Sequence, residues 1–167
     1  MSSGHTACTF LITPTHEERA MHVRDVMTRN PVCCTPDTPL ELIARVMTER
    51  DCGSIPVVDD LIERRPVGIV TDRDIVTRTL AAGRDPVGLV VRDCMTSPAV
   101  TIVEDASLGD CVELLELGQI RRVIVIDETG RCTGIVAQAD IAQHASKRDT
   151  GDLVQQVSQP TTPAFVA

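Results

Sequence analysis

The chain has 167 residues, enough for one sizeable core or for two small motifs that share one. Hydrophobic residues make up 43%, but Phe10 and Phe165 are the whole aromatic content, so the core must be aliphatic and stacking on nucleic-acid bases is excluded. A net charge of −8 argues against nucleic acid as a partner, because that affinity comes largely from neutralising phosphates.

Residues 1–20 show no period and read as a flexible tail. They lack a basic stretch followed by a long apolar one, so no secretory leader is expected. Nowhere does the sequence hold the roughly 20 apolar residues that cross a bilayer, so no membrane partner is expected. The expected setting is the cytoplasm. There the seven cysteines, odd in number and without C-x-x-C spacing, behave as small buried hydrophobes. Cys33-Cys34 is the exception: either a thiol pair that senses oxidants or a strand position with one side chain buried.

Two similar units follow, 21–80 and 91–146, joined by a linker at 81–90 and trailed by a polar tail at 147–167. Val23-Arg24-Asp25-Val26-Met27-Thr28 returns as Val91-Arg92-Asp93-Cys94-Met95-Thr96. Ile55-Pro56-Val57-Val58-Asp59 returns as Val123-Ile124-Val125-Ile126-Asp127, and Gly68-Ile69-Val70-Thr71 as Gly134-Ile135-Val136-Ala137. In each unit the pattern predicts a short strand first, at 32–35 and 100–103. A helix comes next. Thr38-Pro39-Leu40-Glu41 is a strong start signal with Thr38 as the cap; Ser107-Leu108-Gly109-Asp110 is a weaker one. Leu40, Ile43, Ala44 and Met47 fall at helical spacing, as do Leu108, Cys111, Val112 and Leu115, and Gly118 is placed to end the second helix. Two β-branched runs, 55–58 and 67–70 in unit one, are separated by a charged loop; unit two has the tighter turn Glu128-Thr129-Gly130. A last helix starts near Asp72 and near Gln138. The β-α-β-β-α order, twice over, gives an α+β fold.

The sharpest local motif is Gly68-Ile69-Val70-Thr71-Asp72-Arg73-Asp74, at a strand-to-helix junction. One reading is structural: Thr71 caps the helix and Asp74 returns the bond. The other is functional. The free N–H groups and the Thr71 hydroxyl suit a phosphate or sugar oxygen, and the two oxygens of Asp74 match the vicinal hydroxyls of a ribose. His5, His16, His22 and His144 are scattered, and no nucleophile-and-base arrangement, metal motif or phosphate loop is present in the sequence, so catalysis is not expected.

The repeat, the Ile-Pro-Val-Val-Asp strand and the Gly-h-h-Thr-x-x-Asp ending resemble the CBS domain family over 23–145. Thr71 to Val76, with Leu80-Ala81-Ala82-Gly83 and Asp85-Pro86, is similar to stand-alone bacterial CBS-pair proteins of the mycobacterial hypoxic-response type. The resemblance implies two motifs packed about a pseudo-twofold axis, with clefts for AMP, ADP, ATP, NAD or S-adenosylmethionine. It also implies a homodimer and an effector protein that the sequence does not name. Carried over, Thr71 contacts phosphate or ribose and Asp74 the ribose hydroxyls. Arg121 and Arg122 stand where relatives place phosphate contacts for the opposite unit, although two surface arginines are the alternative. Strand alternation sends one of the two to the cleft. Val32, Cys33 and Ile69 would wall the base. In unit two Asp140 is kept, but Ala137 replaces the threonine, and Gly53 and Ser54 stand where unit two has its arginines. The implied function is a non-catalytic adenine-nucleotide sensor of energy or stress state. The alternatives are an interaction protein without a nucleotide ligand, or a thiol redox sensor.

Overall fold

The computed structural model describes residues 21–144; the expected tails at 1–20 and 147–167, with Cys8, His5 and His16, lie outside the described residues. In chain order the elements are α1 (Val23–Val26), β1 (Thr28–Arg29), α2 (Leu40–Glu49), β2 (Ser54–Val58), β3 (Pro66–Thr71) and α3 (Asp72–Arg78), followed by β4 (Thr101–Val103), α4 (Leu108–Gly118), β5 (Arg122–Ile126), β6 (Cys132–Ala137) and α5 (Gln138–His144). Two short 3-10 turns, Leu80–Ala82 and Val91–Asp93, lie between α3 and β4.

The two sheets have the same plan. Unit two forms a four-stranded sheet in the order β1-β6-β5-β4. Unit one pairs β2 with β3, extended on one side by a bridge from Ile69 to Thr96 and on the other by a bridge from Cys34 to Val57. The strand expected at 32–35 is therefore a single bridging residue. The reason is two prolines. Cys34 N–H donates to the Pro56 carbonyl and Val58 N–H to the Cys34 carbonyl. The next rungs of a parallel ladder would need N–H groups from Pro36 and Pro56, which have none. In unit two the matching donors are Glu104 and Ile124, which bond Ile126 and Val100, and β4 is a true strand beside β5.

The helix starts also differ from expectation. Thr38 does not cap α2: its hydroxyl oxygen accepts from the Thr35 N–H at 3.0 Å and closes a turn, and Pro39 occupies the cap position. The weaker signal is the one realised. Ser107 Oγ accepts from the Asp110 N–H at 3.1 Å, and Asp110 Oδ2 accepts from the Ser107 N–H at 3.2 Å. Helix α4 ends at Gly118 as expected, but Gln119, with φ 48°, takes the left-handed turn. Leu40, Ile43 and Met47 are buried while Ala44 is exposed; Cys111 and Leu115 are buried, with Leu108 and Val112 packed beside them.

The cores show an exchange. Val23, Val26 and Met27, which begin unit one in sequence, pack with Ile102, Cys111, Leu115, Val123, Val125, Val136 and Ile141 of unit two. Val91 and Cys94, which begin unit two, pack with Leu40, Ile43, Met47, Ile55, Val57 and Val70 of unit one. Each leader completes the other unit. A third cluster forms the seam between the sheets: Val58, Ile124 and Cys132, with Cys33, Ile69 and Ala99 against them. No helix among the described residues is long and apolar enough to cross a membrane.

Candidate functional site

Strand β3 runs into α3 at Thr71, and the junction is a closed capping box. Asp74 N–H donates to Thr71 Oγ1 at 3.0 Å, and Thr71 N–H donates to Asp74 Oδ2 at 3.0 Å. The Thr71 hydroxyl donates to the same oxygen at 2.6 Å, the short length expected when a hydroxyl meets a carboxylate. The Asp74 side chain is 14% exposed. Its other oxygen, Oδ1, is held loosely: Thr96 Oγ1 and Arg78 Nη2 each stand 3.4 Å away.

Thr96 and Arg78 were not among the expected site residues. Thr96 reaches Asp74 because of the exchanged leader. Ile69 and Thr96 trade backbone bonds at 2.9 and 2.8 Å, which brings the Thr96 hydroxyl over the start of α3. Arg78 Nη1 donates to the Cys94 and Met95 carbonyls and Nη2 to Thr96 Oγ1, so it pins the leader to α3. The sequence signals were the repeated Met-Thr at 27–28 and 95–96, and the i, i+4 spacing of Asp74 and Arg78.

The two arginines of unit two separate. Arg122 is half-buried and crosses to unit one. A Cβ at Gly53 would lie 3.1 Å from Arg122 Nη2 and 3.0 Å from Asp72 Oδ2, so the bare glycine makes room for the guanidinium beside the first residue of α3. Arg121 is exposed, and its carbonyl accepts from the Gln138 N–H. Of the expected base walls, Cys33 and Ile69 meet at the seam, whereas Val32 is 40% exposed. A groove of about 430 Å³ opens between α2 and α3, but it touches this site only at Gly53 and Asp72; the capping-box geometry, not that groove, defines the site.

In unit two Asp140 Oδ2 accepts from the Ala137 N–H at 2.7 Å, and no hydroxyl stands at 137 to match Thr71. His22 and His144 each face a backbone carbonyl through Nδ1. The cysteines are free thiols among the described residues. Cys33 and Cys34 do not act as a pair, because adjacent side chains point apart: Cys34 Sγ is buried against the Pro56 carbonyl and burial pushes its thiol up to about 12, while Cys33 faces Cys132 and Arg64. Sequence gave no hint of these partners, which lie 99 and 31 residues away.

The family described as "CBS domain" matches residues 23–80 and 91–147. An uncharacterized protein of Methanopyrus kandleri is 34% identical over 125 residues, 75% of this chain; the chain spans 63% of that relative's length. Hypoxic response protein 1 of Mycobacterium tuberculosis is 34% identical over 137 residues, 82% of this chain and 94% of that protein. A crystal structure of Hypoxic Response Protein I with two coordinated zinc ions superposes with a TM-score of 0.66 at 36% identity, over 75% of this chain and 100% of that one. Among the described residues here, no group of three or more His, Cys, Asp or Glu side chains is placed to hold a metal ion. CBSX2, from Arabidopsis thaliana, in complex with AMP shares the fold with a TM-score of 0.65 at 24% identity, over 74% of this chain and 95% of that one.

Proposed function

The chain belongs to the CBS domain family, and from that premise we propose that it is a non-catalytic regulatory module whose Thr71–Asp74 cleft binds an adenosyl ligand of the AMP, ADP, ATP, NAD or S-adenosylmethionine class. The observation that carries the reading is Asp74 Oδ1. It is a carboxylate oxygen in a largely buried side chain, yet its contacts stand at 3.4 Å. Charge-assisted bonds close to about 2.7–2.9 Å, so this oxygen keeps capacity for a stronger donor. A ribose hydroxyl is such a donor. The Thr71 hydroxyl and Arg122, reaching over Gly53 from the other unit, supply the polar and cationic groups a phosphate needs.

The ligand would bridge the units, because Thr71 and Asp74 belong to one and Arg122 and Thr96 to the other. Binding would then favour one arrangement of the two and change affinity for an effector protein. We extend the reading to a cytoplasmic homodimer, checked by light scattering on the full chain. The unit-two cleft, with Asp140 but no hydroxyl at 137, is assigned a weaker or empty role.

A dye-based melting panel of the adenosyl ligands tests the reading. A ligand that binds only the native state at one hundred times its Kd stabilises by about 2.7 kcal/mol, or about 5–10 °C in a chain of this size. Asp74→Ala should lower the unliganded Tm by about 2–4 °C, as loss of a cap worth about 1 kcal/mol requires, and remove the ligand shift. A mutant that keeps the full ligand shift shows Asp74 to be a cap only. A panel with no shift at millimolar ligand favours the interaction protein.

A further inference from the structure

Cys33 Sγ lies 3.9 Å from Cys132 Sγ across the seam between the units. Arg64 holds both. Its Nη2 donates to Cys33 Sγ at 3.1 Å and to the Pro31 carbonyl at 2.9 Å, and its own carbonyl accepts from the Cys132 N–H at 2.9 Å. The loop carrying Arg64 is fixed at several points. Asp60 Oδ1 accepts from the N–H groups of Ile62 and Glu63, and Arg131 reaches across to the Ile62 carbonyl.

The two thiols are unequal. Cys33 is half-buried and Cys132 is buried. A hydrogen bond from the Cys132 thiol, together with the Arg64 guanidinium and against the opposing effect of burial, brings the Cys33 thiol down to about 6. The Cys33 anion and burial hold Cys132 in its protonated form.

We propose that Cys33 is a modification site for hydroperoxides and that Cys132 resolves the product into a disulfide joining the two units. The Cys33 thiolate attacks a peroxide oxygen; an S–O bond forms, the O–O bond breaks, and the leaving oxygen takes up a proton as alcohol or water. Cys33 is oxidised to the sulfenic acid and the peroxide is reduced. The Cys132 sulfur then attacks the Cys33 sulfur. The S–S bond forms, the S–O bond breaks, and the sulfenic oxygen leaves as water with the Cys132 proton. The arrangement sets this order. Once Cys33 is a neutral sulfenic acid, the anion that kept Cys132 protonated is gone. Closing the pair to about 2.05 Å needs an approach of about 1.9 Å.

The proposal does not rest on the Thr71–Asp74 reading, although Cys33 is one of the expected base walls, and it is tested without a nucleotide. The full chain is treated with hydrogen peroxide, digested and analysed by mass spectrometry without reduction. The expected product is a Cys33–Cys132 linked peptide that dithiothreitol abolishes. Cys132→Ser should accumulate a dimedone-trapped sulfenic acid at Cys33, and Cys33→Ser should leave Cys132 unmodified. Wild-type protein gives a measurement that needs no variant: iodoacetamide alkylation of Cys33 at pH 6. A thiol near 6 is about half ionised there and an ordinary one near 8.5 about 0.3%; lower intrinsic nucleophilicity removes about a factor of ten, leaving a rate about tenfold above an ordinary thiol. Arg64→Gln should reduce that advantage. A linkage through Cys34, no linkage to Cys132, or a Cys33 rate at pH 6 equal to that of free glutathione overturns the proposal.

Discussion

Replacing Gly68 with alanine places a methyl group 2.6 Å from the Thr96 carbonyl oxygen. Carbon and carbonyl oxygen ordinarily stop at about 3.3 Å, so the two backbones must part by about 0.7 Å. The hydrogen bonds at that crossing, 2.9 Å from Ile69 to Thr96 and 2.8 Å back, would stretch to about 3.5 Å, beyond effective range. Losing both costs about 1–3 kcal/mol, and the stiffer unfolded chain returns about 0.5–1 kcal/mol. The net expectation is a loss of about 0–2.5 kcal/mol, centred near 1 kcal/mol. Gly134 occupies the equivalent place in unit two, but there the three nearest atoms to the new methyl all belong to the buried Met27 side chain, its Sδ closest and its Cγ at 3.0 Å. A thioether chain can re-pack where a backbone cannot, so Gly134→Ala should cost less than Gly68→Ala. Urea unfolding followed by far-ultraviolet circular dichroism reads both, since the chain has no tryptophan to report. A Gly68→Ala cost no greater than that of Gly134→Ala would refute the argument that the exchanged leader is fitted backbone to backbone.

Other outcomes follow from the same contacts. Ser107→Ala should cost about 1 kcal/mol in urea unfolding because it opens the realised capping box of α4, whereas Thr38→Ala should cost less, since Thr38 caps nothing. Leu115→Ala removes a fully buried side chain from the second core and should cost about 2–5 kcal/mol by the same assay. Cys33 has a folded value near 6, below its unfolded one near 9, so the unfolded state binds more protons between them. Its contribution to stability is complete above pH 9 and is lost as pH falls through 6. The urea midpoint of wild type should therefore drop more than that of Cys33→Ser between pH 9 and pH 5.

Much of this fold is written locally. The β2–β3 and β5–β6 hairpins follow from β-branched runs and turn residues, and the tight turn is made as expected, with Gly130 at φ 81°. The shortened first strand was legible too, through Pro36 and Pro56, but only once pairing partners are considered together. A proline in one strand acts on the ladder of its neighbour. The Thr38 signal failed for a related reason: the hydroxyl found a nearer N–H, at Thr35, before the helix began. At the site, Thr71 and Asp74 are three residues apart and were readable as a pair. Thr96 was marked by the repeated Met-Thr but placed only by the exchange of leaders, and Arg64 and Cys132 were not readable at all, because only the seam brings them into place.

The exchange also sets an order of assembly. The first core is continuous in sequence, from Cys34 to Met95, and can close on contacts of moderate range. The second is split: Val23 to Met27 on one side, Ile102 to Ile141 on the other. As the chain leaves the ribosome, the segment at 22–29 is made early, and its partners, from Ile102 to Ile141, follow about 75 to 115 residues after Met27. Until then its three buried side chains have no home. Among the described residues, the segment made earliest completes a core whose other members are made last, as a latch does.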